Sequence, residues 1–190
     1  MRYHISAVCA AGLVMSAAAS LNAQTISLEA NWSNQSTGAT AVATFDLDLP
    51  TFNAVSNGFF GGNSIHSFAS LGVSNFSLTI AGASSGNGTW TDADLSGMVM
   101  YTNVLIDPTI EWVGQPQGDS SIWGVYDGSG LHDFNVFSSV SGSPNGTWYY
   151  ELTASGGETL YLTSVHPVPA PAATAVLGLG GLATLRRRRR

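Results

Sequence analysis

The sequence predicts an all-β domain, an antiparallel two-sheet sandwich or jelly roll, flanked by an N-terminal signal helix and a short C-terminal hydrophobic helix. Three observations predict it. Between Gln24 and His166 no segment repeats apolar residues at the spacing of an amphipathic helix. The same span holds ten short runs of β-branched and aromatic residues separated by Gly, Asn, Ser and Pro, the pattern of strands joined by turns. Both ends break that pattern with long, mainly apolar runs beside arginine, so the chain divides into 1–23, 24–166 and 167–190.

The first element is residues 1–23. Arg2 precedes an apolar stretch over 5–19, and small and polar residues follow up to Gln24. One positive charge, an apolar core of about 15 residues and small residues before a polar start make a secretory signal peptide. Cleavage is expected after Ala23, with Ala19 as the second site. Cys9, the single cysteine, falls inside this segment. The cleaved chain would therefore hold by its core without disulfides, within reach of a domain of about 140 residues.

The strands are expected over 25–32, 39–49, 74–81, 88–91, 97–106, 109–113, 122–126, 133–138, 147–154 and 159–165. Asn-Gly pairs at 57–58, 87–88 and 145–146 are expected turn sites, because both residues tolerate positive φ. The alternation is clearest over 39–49. There Phe45, Leu47 and Leu49 share one side, and Thr44, Asp46 and Asp48 share the other.

The last element starts with Pro169, Ala170 and Pro171. It continues through a 14-residue apolar run, 172–185, to Arg186, Arg187, Arg188, Arg189 and Arg190. A helix over that run reaches ~21 Å, short of the ~30 Å hydrocarbon core. It suits a stop-transfer element, because the arginine block resists crossing. Both ends would then be cytoplasmic during export, with the middle outside.

This tail resembles the PEP-CTERM sorting signal of Gram-negative exported proteins: a short proline motif, a glycine-containing hydrophobic helix and a terminal arginine cluster. Ala170 stands where the name-giving motif has Glu. The resemblance covers about 23 residues from Val168. It implies an exosortase-like membrane processing enzyme as partner, membrane contact through the C-terminal helix before processing, and a destination at the cell surface or in extracellular polymer. The block from Asn75 to Gly130, including Phe76, the turn over 84–89 and Trp123-Gly124, also resembles domains of exported proteins that bear this tail. It implies a secreted β domain and adds no active site.

Charge narrows the function. Only 9% of residues are charged, against a typical ~25%. No Lys or Arg lies between Tyr3 and Leu185, whereas all twelve acids, Glu29 to Glu158, lie inside that gap. The segment has no basic footprint with which to displace counterions from phosphates, which excludes a nucleic-acid binder. It also has no Lys or Arg clamp for phosphoryl chemistry.

Candidate chemistry is sparse. His66, His132 and His166 share no metal-binding spacing, and no cysteine is available in the mature chain. Asp127-Gly128-Ser129-Gly130 lacks the spacing of a nucleophile elbow. A glycosidase needs two carboxylates facing each other across a cleft, and no sequence feature marks such a pair. No cofactor is required by these residues. Calcium is the one metal with a candidate site, Asp92 and Asp94, since hard cations take carboxylate oxygens and an acidic domain gains from neutralisation. The paired Asp46 and Asp48 are expected simply to face solvent. Five tryptophans are many for this length, and an exposed indole can stack on a sugar ring, so Trp123 and Trp148 are candidate carbohydrate contacts. The alternative is that tryptophans supply core bulk.

The expected protein is thus not an enzyme. It is an exported structural or adhesive component of the cell envelope or extracellular matrix, held transiently or permanently at the inner membrane by its tail. The competing expectation is a carbohydrate-binding, calcium-assisted sandwich that contacts extracellular polysaccharide.

Overall fold

The computed structural model describes residues 25–55, 65–101, 104, 106–118, 121–125, 133–138, 144–147 and 150–169. The signal helix and the C-terminal hydrophobic helix expected from sequence lie outside these residues. Among the described residues no helix is long and apolar enough to cross a membrane.

The described chain is mostly β. Its strands are β1 (Thr25–Ser33), β2 (Thr40–Asp48), β3 (Val73–Ala81), β4 (Gly88–Thr91), β5 (Gly97–Tyr101), β6 (Pro116–Gly118), β7 (Ser121–Ile122), β8 (Asp133–Phe137), β9 (Asn145–Thr147), β10 (Glu151–Thr153) and β11 (Thr159–Pro167). Seven form one curled sheet in the order β4-β3-β2-β1-β11-β10-β9, while β5 pairs with β8 and β6 with β7. Every ladder is antiparallel.

Alternation builds the large sheet. Leu28, Ala30 and Trp32 of β1, Ala41, Ala43, Phe45 and Leu47 of β2, and Phe76, Leu78 and Ile80 of β3 are all buried. Their neighbours at odd steps face outward, because successive side chains alternate across a strand. The predicted faces of β2 hold: Phe45, Leu47 and Leu49 are buried, whereas Thr44 is exposed and Asp46 and Asp48 are half-buried. The two aspartates do more than face solvent. Asp46 accepts hydrogen bonds from Ser27 Oγ at 2.6 Å and Asn75 Nδ2 at 2.7 Å. Asp48 Oδ2 accepts from Thr51 N–H at 3.1 Å and Thr51 Oγ1 at 2.6 Å, which caps the seven-residue helix α1 (Leu49–Val55).

Several predicted strands are shortened or absent, each for a local reason. The run over 147–154 is two strands, because Tyr150 sits at φ 72° and turns the chain between β9 and β10. Gly146 is not in a turn; it lies within β9 and pairs with Leu152. The segment 109–113 forms no strand. Asp107 Oδ1 accepts from Thr109 N–H and Glu111 Oε1 from Val113 N–H, each at 2.9 Å, and these local bonds replace a ladder. The run over 122–126 contributes only Ile122 to β7, since Trp123 and Gly124 form a turn. The expected strand over 97–106 is described as β5, ending at Tyr101.

The core centres on Phe134 of β8, which faces the inner side of the large sheet. Its ring stacks on Trp32 at 5.8 Å and meets Phe45 at 6.3 Å, Trp112 at 5.9 Å and Trp123 at 5.4 Å. Aromatic pairs of this kind add about 0.5–1.5 kcal/mol each beyond area burial. The β5–β8 pair is also fixed to the segment before β3, where His66 and Met98 exchange backbone hydrogen bonds at 2.9 Å each. Edge strand β9 lies close on β8: a Cβ at Gly146 would stand 2.6 Å from Asn135 Cβ and 2.7 Å from Val136 O.

Candidate functional site

The outward side chains of the central strands β1 and β11 meet in register. Glu29 faces His166 and Asn31 faces Ser164. Asn31 Nδ2 donates to Glu29 Oε1 and to Ser164 Oγ, both at 3.1 Å. His166 places Nε2 3.8 Å from Glu29 Oε1 and Nδ1 3.6 Å from Glu111 Oε2. The other oxygen of Glu111 accepts from Val165 N–H at 2.7 Å, and Trp112 N–H donates to Val165 O at 2.8 Å. The loop after Asp107 is thereby held against β11 beside the imidazole.

Further along the same face a bulge between Asn31 and Trp32 shifts the register. It turns both Thr163, which is exposed, and the half-buried Ser164 away from the core. Beyond it stands Tyr161, between Ser33 on β1 and Glu151 on β10. Tyr161 is 55% exposed and is the one exposed aromatic ring among the described side chains. The face therefore offers an aromatic platform, hydroxyl and amide groups, an imidazole and the three carboxylates of Glu29, Glu111 and Glu151, with no Lys or Arg between Tyr3 and Leu185. Such a surface exchanges hydrogen bonds with neutral polar groups and repels anions.

Of the two aromatic contacts expected from sequence, Trp123 is not on this face. Trp123 is fully buried, edge-on to Trp112 with ring centroids 5.2 Å apart at 90°. Its ring is enclosed by Trp112, Phe134 and Tyr150, so it cannot stack on a sugar at the surface; the expectation for Trp123 is corrected to a core role. Trp32 and Trp112 are also core residues, and Trp90 packs half-buried against the core. Trp148 lies outside the described residues.

Asp92 and Asp94 are exposed in the turn between β4 and β5. Asp94 Oδ2 accepts from Thr91 N–H at 2.8 Å and Thr91 Oγ1 at 2.9 Å. The backbone donor first, then the hydroxyl, holds its carboxyl below the usual carboxylate range. That carboxylate closes a turn. Among the described residues no group of three or more His, Cys, Asp or Glu is arranged to hold a metal ion. Glu29 and Glu111 approach opposite ring nitrogens of His166. The imidazole thus occupies the space between them that an attacking water and sugar would need.

Of the sorting motif, Pro169 is described and exposed; Ala170, Pro171 and Arg186 to Arg190 lie outside the described residues, as does His132. The residues that sequence reasoning missed on the β1–β11 face were partly signalled. With Leu28, Ala30 and Trp32 inward, parity alone sends Glu29 and Asn31 outward, and Leu160 and Leu162 do the same for Tyr161. No parity argument reaches Glu111, because its segment is not a strand. Compared with protein-family models, curated proteins and solved structures, the chain matches none.

Proposed function

We propose that this protein is an exported structural or adhesive component of the cell surface or extracellular matrix, and not an enzyme. In this reading residues 1–23 are a signal peptide, 24–166 a two-layered β-sandwich with the β5–β8 pair as its second layer, and 167–190 a PEP-CTERM-like sorting tail handled by an exosortase-like enzyme.

One observation carries the reading. The start of β1 and the end of β11 are hydrogen-bonded neighbours: Leu28 pairs with Pro167, and Val168 N–H donates to Ser27 O at 2.8 Å. The two segments read as membrane-directed addresses thus join the domain side by side. Thr25 follows Ala23 by two residues, and Pro169 precedes the apolar run by three. At 3.3–3.6 Å per extended residue the expected cleavage point and the C-terminal apolar run lie within about 11 Å of the sheet along the chain, and the N-terminal apolar run, ending at Ala19, within about 22 Å. This arrangement suits a cargo translocated as a loop with both ends still in the membrane.

The test is expression of the full chain in a Gram-negative host with and without an exosortase, followed by fractionation and intact-mass measurement. The expected product is outside the cytoplasm, begins at Gln24 or Ser20, and loses its arginine tail only when the processing enzyme is present. Uncleaved protein in the cytosol would overturn the reading.

A further inference from the structure

The geometry points to a binding site for neutral polysaccharide on the outer face of β1 and β11, with Tyr161 as its stacking platform. This goes beyond export and matrix residence, and it stands on the described residues alone.

The platform is the ring of a residue 55% exposed, on a sheet whose other described aromatics are buried in the core or, for Trp90, half-buried against it. A Tyr side chain left on an open polar face exposes apolar area that folding would otherwise bury, and its flat π face suits the C–H surface of a pyranose. The neighbours of Tyr161 complete the chemistry. Ser33 and Glu151 flank it directly across the ladders. Along the strands follow Asn31 and Ser164, joined at 3.1 Å, and then His166 beside Glu29. From Tyr161 to His166 the row runs five residue steps, about 16 Å, which accommodates a short run of sugar rings laid along β11.

Charge selects among polysaccharides. The row contains the carboxylates of Glu29 and Glu151, and no Lys or Arg lies between Tyr3 and Leu185. An anionic polymer such as a uronate chain meets repulsion without a compensating Lys or Arg, whereas a neutral glycan presents hydroxyls that donate to the carboxylates and to Asn31 Oδ1 and accept from the Ser164 hydroxyl. The occupant is therefore an uncharged polysaccharide.

The test is affinity electrophoresis of the purified full chain through native gels containing hydroxyethyl cellulose, laminarin, soluble starch or alginate. At least one neutral polymer should retard the protein, and alginate should not. Tyr161→Ala should weaken the retardation constant at least fivefold, while Tyr161→Trp, which keeps a stacking ring, should retain it. Tyr161 lies outside the core, so both variants should melt within a few degrees of the parent, which separates lost binding from lost fold. Unretarded migration in all three neutral polymers would overturn the site, as would retardation indifferent to Tyr161→Ala or equal retardation by alginate. None of these outcomes bears on whether the chain is exported, which the fractionation experiment decides separately.

Discussion

The indole of Trp32 and the ring of Phe134 lie nearly parallel, 5.8 Å apart at an interplanar angle of 11°. Trp32 belongs to a central strand of the large sheet and Phe134 to the separate β5–β8 pair, so this stack joins the two. Phe134→Ala should cost about 3–5 kcal/mol of unfolding free energy, because it removes a ring touched by four other aromatics. Phe134→Leu should cost less. Urea denaturation followed by tryptophan fluorescence checks both, and equal losses would contradict the stacking role.

Two glycines should respond to alanine for different reasons. At Gly146 a Cβ would collide with Asn135 and the Val136 carbonyl. Gly146→Ala should therefore destabilise by about 1–3 kcal/mol through overpacking of β9 on β8. At Gly157 nothing lies within 4 Å, but φ is +85°. Gly157→Ala should cost about 1–2 kcal/mol from backbone strain alone. Gly157→Asn should recover part of that loss, whereas Gly146→Asn should recover none. Thermal melts of the four variants distinguish crowding from strain.

Glu158 ties three loops together. It accepts from Thr37 Oγ1 and, at 3.0 Å, from Ser84 N–H. Those donors, Thr37 first, hold its carboxyl below the ordinary glutamate value of 4.5. The folded state thus favours the carboxylate. The stabilisation is fully present above the ordinary value and disappears as pH falls through the lowered one. Glu158→Gln should melt below the parent at pH 7, and the two curves should converge in acid. A gap that persists at the lowest accessible pH would show that the contribution is not tied to ionisation.

Trp123 is buried, which separates stability from sugar contact at that position. Trp123→Ala should lose about 3–5 kcal/mol of stability. Trp123→Phe keeps an aromatic ring in the core and should migrate through polysaccharide gels as the parent does. A Trp123→Phe protein with parental stability and lost retardation would reverse the core assignment.

What the sequence made legible was whatever alternation governs. The long strands β1, β2, β3 and β11 are found within two residues of their expected ends, and β4 within none. They alternate because one face is buried and the other wet. Their order was not legible, since nothing local says that β1 pairs with β11, 133 residues away at Asn31 and Ser164. The turn at Tyr150 was hidden because a bulky residue at positive φ gives no compositional warning. Helix α1 was hidden because seven residues are too few to display a period. At the site the same rule applies. Tyr161 was inferable from its inward neighbours, but a count of tryptophans pointed to Trp123, a ring that the core consumes. Glu111 reaches His166 only through tertiary placement.

The neighbouring exits at Ser27 and Val168 also fix how the domain answers a pull. Tension applied between its two ends would load the β1–β11 ladder at its open end, so the bonds would peel in sequence instead of resisting together in shear. A molecule tethered at both ends is therefore mechanically soft. Freed at one end it carries no such load through that seam, so a domain held by a single terminus would be a robust pendant where one held by both would be a fragile loop.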